Sequence, residues 1–141
     1  PAEDLERLAS RLAELAHDVA SAPVRFVKAI GDAVMFVSAE AAPLLTAVLD
    51  LTAAVTANDL PPLRIGVASG FAVTRAGDWF GSPVNLASRV TGAASPGTVL
   101  VDESTRDAVT NPGDFTWHPM GARKLKGVRA EVKLLRVEHL G

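Results

Sequence analysis

The residues best suited to chemistry lie in one stretch, Gly77-Asp78-Trp79-Phe80-Gly81-Ser82-Pro83-Val84-Asn85-Leu86-Ala87-Ser88-Arg89-Val90. It opens as a glycine-framed loop carrying a carboxylate and two aromatics. Ser82 followed by Pro83 predicts a helix N-cap and first helical position, where the missing proline N–H would be unpaired anyway. Val84, Leu86, Ala87 and Val90 supply the packing face of that helix. Asn85 and Arg89 fall one turn apart on a single face. An amide and a guanidinium projecting together from the first turns of a helix suit a sugar and a phosphate. The two alone would equally serve as a solvated polar face.

Two further blocks carry polar groups in informative places. Phe26-Val27-Lys28-Ala29-Ile30-Gly31-Asp32 reads as a strand running into a tight turn, with Lys28 among apolar neighbours. A lysine there also serves as an edge-strand guard, and an aspartate after glycine is ordinary turn chemistry. Leu125-Lys126-Gly127 lies in a basic run with Arg123, Lys124 and Arg129, a pattern that solvation alone would explain.

The order Gly-Asp-x-Phe-Gly-x-x-Val-Asn-x-Ala-x-Arg-Val resembles the signature of class III nucleotidyl cyclases. The Phe26–Asp32 block resembles the second landmark of that family. Leu125-Lys126-Gly127 falls where the family carries a lysine near its last strand. The resemblance spans nearly the whole chain and is nearest to soluble mycobacterial adenylate cyclase domains. It implies an α+β fold, a ferredoxin-like βαββαβ sandwich, and conversion of ATP to 3′,5′-cyclic AMP and pyrophosphate. In that reaction the ribose 3′ oxygen attacks the α-phosphorus in line, between two Mg2+ or Mn2+ ions.

By resemblance, Asp32 is one metal aspartate. Lys28 and Asp78 are the purine-selecting pair, Asn85 orients the ribose, Arg89 stabilises charge on the α-phosphate, and Lys126 holds the β- or γ-phosphate. An ammonium only donates and a carboxylate only accepts, which matches adenine at N1 and the 6-amino group and mismatches guanine at both. The family's second metal aspartate belongs to an opening strand of the form Phe-x-Asp-x-x-x-Phe, and this chain begins on the helix that follows it. Residues 1–141 are therefore expected to be one cyclase domain without its N-terminal strand, poorly active as it stands. The family pattern also implies a head-to-tail homodimer with sites shared between chains; Trp79 and Phe80 are candidate interface residues. A cyclase-like module that binds nucleotide without turnover is the alternative.

The positioning elements follow from periodicity. Leu5, Leu8, Leu12, Leu15 and Val19 recur at helical spacing over residues 1–20, and Pro23 ends that helix. Val24–Ile30 and Ala33–Val37 predict a hairpin with Val24, Phe26, Lys28 and Ile30 on one face. Ala41–Ala57 predicts a broadly apolar helix with Pro43 in its first turn. Leu63–Gly70 predicts a central strand that Phe71–Arg75 extends, and Gly66 within it marks close approach of another backbone or a ligand. Thr98–Val101, a helix over Asp102–Val109, and strands at Phe115–His118 and Glu131–Val137 complete the series. The mixture argues α+β with a mostly antiparallel sheet.

Composition narrows the remaining classes. A chain of 141 residues supports one core. Its net charge of −2 offers no basic surface for nucleic acid, and few aromatics argue against an RNA-binding sheet. No apolar run reaches the roughly 20 residues of a membrane span. The chain has no cysteine, which fits a reducing cytoplasm. His17, His118 and His139 are scattered without metal-site spacing.

Overall fold

Leu12, Leu15 and Ala16 are buried on α1 (Ala2–Val19), so the leucine stripe read from the sequence does face a core. Its first two members, Leu5 and Leu8, are exposed. The computed structural model describes residues 2–30 and 33–141. These fall into two compact units divided between Pro62 and Leu63.

In the first unit, α1 packs against α2 (Ala41–Ala57), which buries Leu45, Ala47, Val48, Leu49, Leu51 and Val55. Arg11 donates to Asn58 at 2.9 Å and to Glu14 at 2.7 Å, fastening α1 to the end of α2. Pro43 is accommodated in the first turn, where its missing N–H breaks no helical bond. The hairpin of β1 (Arg25–Ile30) and β2 (Ala33–Val37) is antiparallel. Phe26 meets Phe36 edge to face, with ring centroids 6.0 Å apart, and the His17 ring centroid lies 3.9 Å from that of Phe26, tilted by 35°.

A β-bulge corrects the expected face of Lys28. Phe26 pairs with Phe36 but Lys28 pairs with Met35, so Val27 is an extra residue on β1. Phe36 and Met35 are neighbours and point to opposite sides, so Lys28 lies on the face opposite Phe26. Simple alternation put both on one face.

The second unit is built on a four-stranded sheet in the order β3-β6-β8-β7, from β3 (Arg64–Val67), β6 (Thr98–Asp102), β7 (Phe115–Arg123) and β8 (Val132–His139). β3 and β6 are parallel, and the other pairings are antiparallel. Among the described residues β3 is an edge of this sheet, not the central strand expected. Nor do Phe71–Arg75 extend it. β4 (Val73–Arg75) pairs instead with β5 (Asp78–Phe80) in a separate antiparallel hairpin. Ala76 and Gly77 make its turn with φ of 52° and 80°. Two positive φ values are what a type I′ turn needs to match strand twist. Among the described residues, no helix is long and apolar enough to cross a membrane.

α3 (Ser82–Ala93) lies on β3 and β6, and α4 (Glu103–Ala108) follows β6. The contact of α3 with β3 is backbone on backbone at Gly66. A methyl there would collide with the Thr91 nitrogen, and would come within 2.6 Å of Thr91 Oγ1 and 2.7 Å of the Ala87 carbonyl oxygen. The close approach read from this glycine is therefore to another backbone.

Gly66→Ala should cost about 1–3 kcal/mol, as overpacking of a filled core does. The urea midpoint should fall at unchanged slope. Gly92, on the exposed side of α3, meets nothing within 4 Å. Gly92→Ala should keep or raise the midpoint, because it removes helix-interior glycine entropy. A Gly66→Ala midpoint equal to the parent's would show that α3 can lift off β3 without penalty.

Candidate active site

The start of α3 is set by glycines and a proline. Gly81 is its N-cap, with φ of 138°, in the region that L side chains avoid. A Cβ on Gly81 would lie 3.0 Å from the Phe71 carbonyl oxygen, and one on Gly70 would lie 3.3 Å from the Pro83 ring. The loop after β3 is thus pressed against the first residues of the helix. Val84 and Asn85 both donate their N–H groups to the Gly81 carbonyl, at 3.1 and 3.2 Å. The helix begins one residue earlier than the Ser82-Pro83 pair suggested, and no side chain caps it. The tight packing of the Gly70–Ala72 loop against Gly81 leaves a residue without a side chain as the one that fits there.

Asp78 is half-buried at the start of β5, and its Oδ1 accepts the N–H of Trp79 at 2.8 Å. Asn85 and Arg89 are exposed on α3, one turn apart. Val90 beside Arg89 is wholly buried. It belongs to a core cluster with Ala94, Leu100, Leu125 and Leu134, onto which Leu86, Val128 and Val132 pack. Leu125 begins the turn Leu125-Lys126-Gly127-Val128, closed by Val128 N–H to Leu125 oxygen at 3.1 Å. Gly127 has φ of 78°, as the third position of a type II turn requires.

Burial of Val90 and Leu125 in one cluster brings their polar neighbours together. Arg89 Nε and Nη2 each lie 3.8 Å from where a Cβ of Gly127 would be. The guanidinium of Arg89 therefore rests beside the Lys126-Gly127 turn. The basic run divides by role: Lys124 Nζ donates to the Val128 carbonyl at 2.6 Å and also to the Arg129 carbonyl, buttressing the turn, while Lys126 is exposed at its crest. An exposed guanidinium beside the crest of a lysine-bearing turn, with an amide one turn away, is suited to a phosphate chain carrying a sugar.

The structure brings Asn85, Arg89 and the Lys126 turn together and holds Asp78 on the strand leading into α3. Lys28 belongs to the first unit, half-buried on β1 opposite Met35. Asp32 lies outside the described residues. Among the described residues no group of three His, Asp or Glu side chains could hold a metal ion.

Sequence reading missed the hydrogen-bonded set Ser69, Thr105 and Asp102. Asp102 caps α4, accepting from Thr105 N–H at 3.0 Å, and Asp102 and Thr105 are both buried. The spacing Asp-x-x-Thr at a strand-to-helix junction carried the cap signal. The partnership with Ser69, 36 residues away, carried none.

Residues 2–138 match the adenylate and guanylate cyclase catalytic domain family, and the chain belongs to that family. A pH-sensitive adenylate cyclase of Mycobacterium tuberculosis is 56% identical over 96% of this chain and 35% of its own length. An adenylate cyclase of Streptomyces griseus is 37% identical over 79% of this chain and 29% of its own length. The chain thus spans about a third of the length of these curated relatives. The fold is shared with an adenylate cyclase of Trypanosoma brucei solved in its monomeric state, at a TM-score of 0.81 over 96% of this chain and 80% of that one, with 16% identity. An adenylyl cyclase from P. aeruginosa aligns at a TM-score of 0.76 over 99% and 83% of the two chains, with 17% identity.

Lys124→Met should loosen the turn without touching Arg89 or Lys126. Losing the donor should speed hydrogen exchange at the Val128 amide by about threefold to tenfold, as expected for an exposed hydrogen bond with a net worth of about 0.5–1.5 kcal/mol. Exchange unchanged from the parent would mean that the glycine geometry alone holds the turn.

Proposed function

We propose that this chain is the catalytic domain of an adenylate cyclase, forming 3′,5′-cyclic AMP and pyrophosphate from ATP. The observation that carries the reading is the placement of the Arg89 guanidinium beside the Lys126-Gly127 turn, with Asn85 one turn away on α3. The 56% identity to a mycobacterial protein named as an adenylate cyclase supports the choice of reaction.

In this reading Arg89 meets the charge that develops on the α-phosphate as the ribose 3′ oxygen attacks. Its planar fork presents donors in a geometry that matches phosphate oxygens, which suits it to charge developing there. Asn85 orients the ribose, and Lys126 neutralises the β- or γ-phosphate that leaves as pyrophosphate. We assign Lys28 and Asp78 to the purine edge, where donor and acceptor favour adenine over guanine. Cyclase domains of this family use divalent cations, which neutralise phosphate charge when bound. Asp32 is our candidate carboxylate for Mg2+ or Mn2+. The whole of residues 1–141 acts as one domain in this proposal, supported by a family match that runs across both units. The protein works as a head-to-tail homodimer with two equivalent sites, in a cytoplasmic compartment where ATP is available.

The test is turnover by the full-length protein with ATP or GTP and Mn2+, following cyclic product. Cyclic AMP should form from ATP with little product from GTP. Arg89→Ala should lower kcat by about 100- to 1000-fold, the usual loss when one preorganised donor to the developing charge is removed. Nucleotide binding without product from a folded protein would instead make it a binding module.

Purine selection has its own test. Asp78→Asn replaces an acceptor with a group that also donates, so the preference for ATP over GTP should narrow about tenfold or more. An unchanged preference would remove Asp78 from the purine edge. Shared sites predict partial recovery of activity when Asp32→Ala and Arg89→Ala chains are mixed. No recovery at any mixing ratio would overturn the shared arrangement.

A further inference from the structure

Ser69, Thr105 and Asp102 form a polarised relay of hydrogen bonds with no part in the reaction just described. Thr105 is completely buried and Asp102 nearly so. The Thr105 hydroxyl donates to Asp102 Oδ1 at 2.5 Å. A hydroxyl has one hydrogen, so Thr105 Oγ1 can only accept from Ser69 Oγ, 2.8 Å away. The direction is fixed: Ser69 donates to Thr105, and Thr105 donates to Asp102. Asp102 is itself tied into the fold, as the last residue of β6, paired with Leu134 on β8 and capping α4.

Ser69 heads the loop that leaves β3. The next residue, Gly70, abuts the Pro83 ring, and the carbonyl of Phe71 abuts Gly81. Gly81 in turn receives the Val84 and Asn85 amides that start α3. A continuous mechanical line therefore runs from a buried carboxylate, through one serine hydroxyl, to the helix turn bearing Asn85. We propose that Ser69 is a positioning residue of the cyclase site, which sets the N-terminal turn of α3 and hence the aim of Asn85, with Thr105 and Asp102 as its anchor. This rests on the cyclase reading above for its effect on turnover, but the link from Ser69 to α3 stands on contacts within the second unit alone.

The experiment compares the full-length protein with Ser69→Ala, which removes one hydroxyl at a half-buried position, and with Ser69→Thr, which restores it. In Ser69→Ala, hydrogen exchange at the Val84 and Asn85 amides should quicken at least threefold. The kcat for ATP should fall about tenfold with KM changed less than twofold, since misplacement of an orienting group by a fraction of an ångström costs rate before affinity. Ser69→Thr should recover most of the lost kcat and the parent exchange rates. Unchanged exchange at Val84 and Asn85 overturns the proposal, as does unchanged kcat in an active protein. If the parent protein turns over no nucleotide, the cyclase reading fails by itself, and the exchange comparison still decides whether Ser69 governs the start of α3.

Discussion

The placement of the candidate site in the second unit depends on α3 lying directly on the β3 backbone at Gly66. Helices normally rest on sheets through a layer of interposed side chains. Here, between Gly66 and the Ala87–Thr91 turn, that layer is absent. The helix is consequently fixed in height and along its axis by main-chain atoms, which have far less freedom than side chains. Only then does burying Val90 in the cluster with Leu125 bring Arg89 to the Lys126-Gly127 turn. The polar residues need no bonds to one another to be placed, because the apolar residues beside them do the placing.

The same economy explains why exposed cations in one run differ in meaning. Lys124 spends its ammonium on two carbonyls of its own turn. Lys126, two residues on, is exposed where the chain reverses. A charge already engaged with the backbone is a framework part, whereas one at the crest of a glycine turn can meet an anion. Basic composition alone would have counted them equally.

How much of this was legible beforehand follows from the range of each signal. The sequence bounds α2 at Ala41–Ala57, the span observed, because its apolar breadth is local and Pro43 marks its first turn. The strands at Ala33–Val37 and Thr98–Asp102 were legible within a residue for the same reason. Alternation alone puts Lys28 on the wrong face, because a bulge is an agreement between two strands and one strand shows only its own alternation. The β4–β5 hairpin was missed because its turn is Ala76-Gly77, and alanine at positive φ is disfavoured enough to hide the turn. For the site, the motif order named Asn85, Arg89, Asp78 and Lys126, and the structure supplied why Arg89 and the Lys126 turn meet. Ser69 and Thr105 stayed invisible because serine and threonine are common and their partnership spans 36 positions.

The Gly66 contact also bears on how the sequence can drift over generations. When a side chain blocks another, a smaller residue at the second position restores the fit, and lineages wander through such paired changes. At Gly66 two of the three nearest obstructing atoms are the Thr91 nitrogen and the Ala87 oxygen, which every residue type carries. Shrinking Thr91 would clear its hydroxyl and leave those two in place. No exchange of side chains elsewhere in α3 reopens that space, so the position offers no compensatory route, and descendants that keep this helix on this strand keep the glycine.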